Sequence, residues 1–179
     1  MSAGFAAWRL DRASWRAFGA WFAIAFAYNL WAINMPSPYT RALAAAGGRL
    51  PESQPGFPAG EPLRSLEALG TATEDYLLWQ WLDIPYAFLA VMTTSTAIAL
   101  GLRALPRRGA AFRAILWLPL IYFGCEIAEN TLVEMFAAKI LHPGPIAVSI
   151  QQAATTLKFL TGYGALACAA AGIAVAAAA

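Results

Sequence analysis

Four ionisable residues, Asp83, Glu126, Glu129 and Lys158, fall inside stretches that are otherwise apolar, and Lys158 is the only charge between Val148 and Ala179. A lysine in the middle of an apolar helix costs about 2.5 to 3.5 kcal/mol on insertion scales, so it needs a partner. The three carboxylates are the candidates. Full ionisation would leave two negative charges uncompensated where burial of even one is expensive. Relief comes either from protonation, which desolvation and like-charge repulsion both favour, or from a bound cation or amine-bearing ligand. That imbalance is the functional argument. A cluster that merely locks helices in register, through interhelical polar contacts of about 0.6 kcal/mol each, is the structural alternative.

Spacing decides whether these groups can meet. Glu126 lies three residues before Glu129 and four before Asn130, so the three share a helix face, continued by Glu134. Gln151, Thr155, Lys158 and Thr161 repeat at four, three and three, and Gln80, Asp83 and Tyr86 repeat at three. At about 1.5 Å per residue, Asn29 and Asp83 lie roughly 10 Å below the outer helix ends, Glu129 and Asn130 roughly 14 Å, and Glu126 and Lys158 roughly 18 Å. The spacing therefore predicts one polar layer, with Asp83, Glu126 and Glu129 as acceptors and Lys158 as their internal counter-ion. Asn29, Asn130, Tyr86 and Thr155 would orient a ligand.

The elements that must position this layer are read from hydropathy. The chain is 60% hydrophobic and 12% charged with a mean hydropathy of +0.55, far from the roughly 25% charge of soluble domains. A bilayer core needs roughly 20 apolar residues of helix, and four segments have that length: 15–35, 76–102, 112–138 and 147–179. We expect an all-α integral membrane protein, a four-helix bundle forming a single transmembrane domain over residues 1–179, with a long outer loop at 36–75 between its first two helices. The first segment is expected to be a retained helix, not a signal peptide, because its core carries Trp21, Phe22, Phe26, Tyr28 and Trp31.

Basic residues set the orientation. Arg9, Arg12 and Arg16 flank the first helix, and Arg103, Arg107, Arg108 and Arg113 crowd the link between the second and third, so both termini are expected in the cytoplasm of a multi-pass cell-membrane protein. Tyr39, Tyr76, Trp79 and Trp81 read as an outer aromatic belt, and Trp8, Trp15 and Trp117 as an inner one. In the outer loop, Leu63, Leu66 and Leu69 recur as a short surface helix requires. Pro85 and Pro119 are expected to interrupt the second and third helices and free the carbonyls of Trp81 and Ile115. The hydroxyls of Thr93 to Thr96 are expected to bond back to their own helix.

Several functions lack machinery. A net charge of +2 without a long basic run gives no arm for nucleic acid. The single histidine, His142, stands in a turn, so neither a histidine-based metal site nor any other cofactor is expected. No nucleophile motif or phosphate-binding glycine loop is present. Cys125 and Cys168 read as small core residues.

Two resemblances bear on the site. The segment Glu126-Ile127-Ala128-Glu129-Asn130 together with Thr155-Thr156-Leu157-Lys158 resembles a group of small four-helix bacterial membrane proteins, and Asp83-Ile84-Pro85-Tyr86 extends the likeness. It implies that these residues form one site. The order of helix, long proline-containing outer loop, carboxylate-bearing helix, basic inner link and two further helices is similar to the EXPERA family, which includes sterol isomerases and the sigma-2 receptor. That likeness implies a ligand-facing carboxylate at Asp83, although the first helix here offers Asn29 in place of an acid and no helix carries a histidine.

The expected function is binding or translocation of a small amphiphilic or cationic molecule, or of protons. An intramembrane enzyme working by proton transfer on a lipid, sterol or isoprenoid is the alternative, with one carboxyl as acid and another as base. A structural membrane subunit is the third. Membrane lipid is the expected environment, and the alanine-rich tail with Gly162 and Gly164 suits close packing in a homo-oligomer or larger membrane complex.

Overall fold

The computed structural model describes residues 3–53, 60–105 and 113–179, and every element among them is helical. Arg107, Arg108 and the expected start of the third segment at 112 lie outside them. In chain order the helices are α1 (Ala3–Arg12), α2 (Trp15–Asn34), α3 (Pro38–Ala45), α4 (Gly60–Ala68), α5 (Thr73–Ala104), α6 (Leu118–Ala137) and α7 (Pro145–Ala178), with short 3-10 turns at Pro51–Ser53, Gly70–Ala72 and Ile115–Trp117.

Local chemistry fixes the breaks. Ser14 opens α2 by accepting from the Ala17 amide at 3.1 Å. Ser37 and Thr40 form a reciprocal capping box at the start of α3, and Pro38 occupies a first-turn position that needs no amide proton. These caps turn the chain by about 40° between α2 and α3. Lys139 stops α6 with a φ of 59°, where the Ile140 amide returns to the Met135 carbonyl at 2.9 Å.

α5 is the central element, packed against α7, α6, α2, α3 and α1. Its C-terminal end crosses α7 at Gly101 and Gly172, where a β-carbon on Gly172 would lie 2.6 Å from the Ala97 carbonyl oxygen. Nearby, Ile98, Leu102, Leu116 and Ala169 form an apolar core with Ala6 and Ala13 from the α1 end. A second core, of Ala42, Leu50, Leu69, Tyr76 and Val133, joins the described parts of segment 36–75 to α5 and α6. Residues 38–50 and Leu69 are thus packed structure rather than a bare connector, and α4 supplies the short helix expected around Leu63 and Leu66.

Two helices, α5 and α7, are long and apolar enough to cross a membrane, and α2 with α3 makes a third if the bent pair is one span. α6 is not among them, since it carries Glu126, Glu129 and Glu134 in 20 residues. Three expectations need correction. Pro119 lies in the first turn of α6, after the 3-10 turn, and so interrupts no helix. Tyr76 and Trp79 are buried, whereas Trp81 is exposed, so the outer belt does not include the first two. Arg9 does not flank a helix in solvent: it is buried, donating to the Met92 carbonyl and Ser95 hydroxyl at 2.7 Å and to Thr96 at 2.5 Å.

Candidate functional site

Lys158 of α7 and Glu126 and Glu129 of α6 are buried together, because the three- and four-residue spacings turn each set to the face between the two helices. The Lys158 ammonium lies 3.2 Å from Glu126 Oε1 and forms a second ion pair with Glu129 Oε2. Glu129 is wholly enclosed. The Thr155 hydroxyl donates to its Oε1, and the Gln151 amide donates to Thr155 at 2.8 Å, tying one turn of α7 to the carboxylate.

On α5, Asp83 is buried and accepts from Asn130 Nδ2 at 3.2 Å. Asp83, Tyr122 and Glu126 line the same cavity. α2 closes the far side: Asn29 donates to the Tyr86 hydroxyl at 2.8 Å, and the Tyr28 hydroxyl donates to the Leu82 carbonyl at 2.6 Å. Pro85 has no amide to give, and the carbonyl that Tyr28 serves is one residue on from the Trp81 carbonyl expected from sequence.

A fourth carboxyl group comes from outside the helices. Glu52, in the 3-10 turn Pro51–Ser53, is buried, accepts from the Tyr76 hydroxyl at 2.7 Å and offers its backbone carbonyl to Lys158 at 3.3 Å. Burial pushes its carboxyl above the ordinary glutamate range, more than its hydrogen bonds and the Lys158 charge pull it down. Nothing in the local sequence marks Glu52, since the surrounding proline- and glycine-rich stretch has no periodicity to give it a face.

Of the residues selected from sequence, Glu126, Glu129, Thr155 and Lys158 thus form one buried network, Asp83 and Asn130 form a buried pair, and Tyr86 and Asn29 are linked to each other. Glu134 is not part of it: it accepts from the exposed Trp81 indole at 3.0 Å. Deeper in α5, Thr93 to Thr96 each bond back to the carbonyl four residues earlier, as expected, and Ser95 and Thr96 also receive Arg9.

Beside the network lies a cavity of about 520 Å³. Glu52, Asp83, Glu126 and Lys158 line its polar part; Tyr39, Trp79, Tyr86, Tyr122 and Phe159 add rings, and Ala165 and Leu166 extend it along α7. Glu52 Oε1, Asn130 Oδ1 and both amide atoms of Gln80 are buried without a hydrogen-bond partner among the described residues. Buried polar atoms are rarely left so, and Glu52 reaches the cavity.

No protein-family model, curated protein or solved structure matches the chain, so the two resemblances rest on their motifs alone.

Proposed function

We propose that the chain is a polytopic membrane protein with four spanning segments, whose carboxylate and lysine cluster binds a small amphiphilic molecule with a cationic head. The cavity carries this reading: its volume is that of a small-molecule site, its carboxyl groups gather at one part, and the rest is aromatic and aliphatic. Asp83, Glu126 and Glu52 receive the head, Lys158 holds Glu129 and part of Glu126 in charge balance, and Tyr86, Asn29, Asn130 and Thr155 fix the carboxyl groups around it. Membrane insertion is supported by α5 and α7 and by the exposed apolar side chains of α2, among them Phe22, Ile24, Phe26 and Ile33. α6 becomes the fourth span because Glu126 and Glu129 point away from the lipid side, where Ile121 and Ile127 are exposed.

The test is binding of dodecylamine to the protein in maltoside micelles, followed by tryptophan fluorescence, with dodecyl phosphate as comparison. Saturable binding of the amine, lost in Glu126→Gln with melting nearly unchanged, is the expected result. A large loss of melting temperature with binding intact would move the cluster to a structural role.

The presence of Asp83 and Glu126 on the wall of one cavity favours a second reading, an enzyme that moves a proton on a lipid, sterol or isoprenoid. One carboxyl of the pair would give a proton while the other accepts one, on the wall of the cavity. Mass analysis of lipids extracted from cells making wild type or Asp83→Asn separates the readings, since only an enzyme changes the product pattern.

A further inference from the structure

The cavity is graded from end to end. Glu52, Asp83, Glu126 and Lys158 gather at one part, and from there its lining runs along α5 to Thr94 and along α7 to Leu166. At about 1.5 Å per residue, Thr94 lies about 16 Å beyond Asp83, and Leu166 about 12 Å beyond Lys158. The far walls are Ala90, Pro119, Ala165 and Leu166, and the Thr94 hydroxyl there is spent on the Ala90 carbonyl at 2.7 Å. The lining comes to the surface at both ends. Ser53 is exposed beside the charged groups, and Tyr163 and Leu166 are 66% and 58% exposed at the apolar end.

Tyr163 and Leu166 continue a row of exposed side chains, Leu157 and Leu160, spaced by three along α7. α7 is long and apolar enough to cross a membrane, so in the four-span arrangement this row faces lipid and the apolar end of the cavity opens toward acyl chains. Gly162 keeps the two ends joined. Lys158 pairs with Glu126, and one turn further along α7 Gly162 meets Tyr122, one turn back along α6. A β-carbon on Gly162 would lie 3.0 Å from Tyr122 Cδ2 and 3.4 Å from Cε2. Both residues are on the cavity wall, so a larger side chain at position 162 either pushes the ring off α7 or turns into the cavity itself. Each narrows the passage between the charged and apolar ends.

Resting on the binding reading above, we propose that the ligand is a single-chain amphiphile taken from the bilayer and held in one orientation. Its head lies among Glu52, Asp83 and Glu126, and its chain passes Gly162 and leaves into lipid at Tyr163 and Leu166. The grading of the cavity favours that direction, since the reverse would set a charge against Ala165 and Leu166 and a chain among carboxyl groups. Rings line the way out, with Phe159 and Tyr163 at 5.8 Å between centroids. The chain trades lipid for an equally apolar wall, which gains little. Affinity therefore rests on the head, and selectivity on what can pass Gly162.

Two photoreactive forms of dodecylamine, one with a diazirine at the chain end and one with it beside the amine, test this on the full chain in phosphatidylcholine nanodiscs. Labelled peptides are mapped by mass spectrometry, counting only label that excess unlabelled dodecylamine removes. The chain-end form is expected on residues 162–166 of α7 and 90–94 of α5, and the near-amine form on residues 50–53 and 79–86. Both labels are expected to be lost in Glu126→Gln, and in Gly162→Leu with melting close to that of wild type. A reversed map, chain-end label at residues 50–53, or a folded Gly162→Leu that labels as wild type does, overturns the orientation and leaves the binding reading intact. Label that unlabelled amine does not remove, or that persists in Glu126→Gln, overturns both. Should Gly162→Leu not fold, the wild-type map decides alone.

Discussion

Lys158 touches two glutamates and a backbone carbonyl, yet the groups around it carry four carboxyls in all. Its removal is therefore costly in a particular way: Glu126 and Glu129 would lose the one cation in contact with them among the described residues. Breaking a buried pair by removing one partner costs about 3 to 5 kcal/mol. Lys158→Met is expected to lose stability on that scale in chemical unfolding, and adding Glu129→Gln is expected to recover part of it, because the second substitution removes one of the stranded charges. A double variant as unstable as the single would argue that packing of the lysine stem, rather than charge, is what matters. Glu52 gives a pH signature. Its native carboxyl is raised, so the folded chain binds its proton more tightly than the unfolded chain does. The associated stability is complete below the ordinary glutamate value of 4.5 and is lost as pH rises through the elevated native one. Comparing unfolding of wild type and Glu52→Gln across that window is expected to show the difference between them growing with pH in favour of the glutamine variant.

At the scale of elements, two glycine positions on helices make opposite predictions. Gly172→Ala forces a methyl group against the backbone of α5, which overpacking puts at about 1 to 3 kcal/mol of lost stability. Gly124→Ala places its methyl in open space on α6 and is expected to gain up to about 1 kcal/mol from helix propensity, both read from melting in one detergent. The sequence makes the helical part of the site legible because helix geometry is local: spacings of three and four put Glu126, Glu129 and Asn130 on one face, and Gln151, Thr155 and Lys158 on another, whatever the rest of the chain does. What it conceals is tertiary. Glu52 reaches Lys158 across 106 positions of sequence from a segment without periodicity. Tyr76 and Trp79 look like interfacial aromatics because a ring at a helix end has the same sequence signature whether it turns outward or inward. Arg9 looks like a surface flank because its partners, a carbonyl and two hydroxyls, carry no charge that would announce them. The crossing at Gly101 and Gly172 is equally silent, while the glycines that drew notice, Gly162 and Gly164, face only the Tyr122 ring and Leu118.

On the scale of the whole molecule, the polar cluster meets α5 at Asp83, the buried Arg9 meets it at Met92, Ser95 and Thr96, and the apolar core of Ala97 to Leu102 follows. The cluster also has an order in time. α6 carries its glutamates into place before any of α7 has been synthesised, and by composition α6 is not a span that would cross a membrane unaided. On the four-span reading, its insertion waits for Lys158: the segment that needs the counter-charge is made first, and the segment that supplies it follows. A chain stopped after Gly144 is then expected to leave α6 on the cytoplasmic side. Labelling a cysteine at His142 with a membrane-impermeant maleimide, in a background without Cys125 and Cys168, reads this directly, since the full chain would expose that turn outside the cell and the shortened chain would not. Equal labelling of both would mean that α6 enters alone. On that four-span reading, the ion pair between the last two helices is more than a contact in the finished fold; it makes the membrane passage of one helix conditional on the arrival of the next.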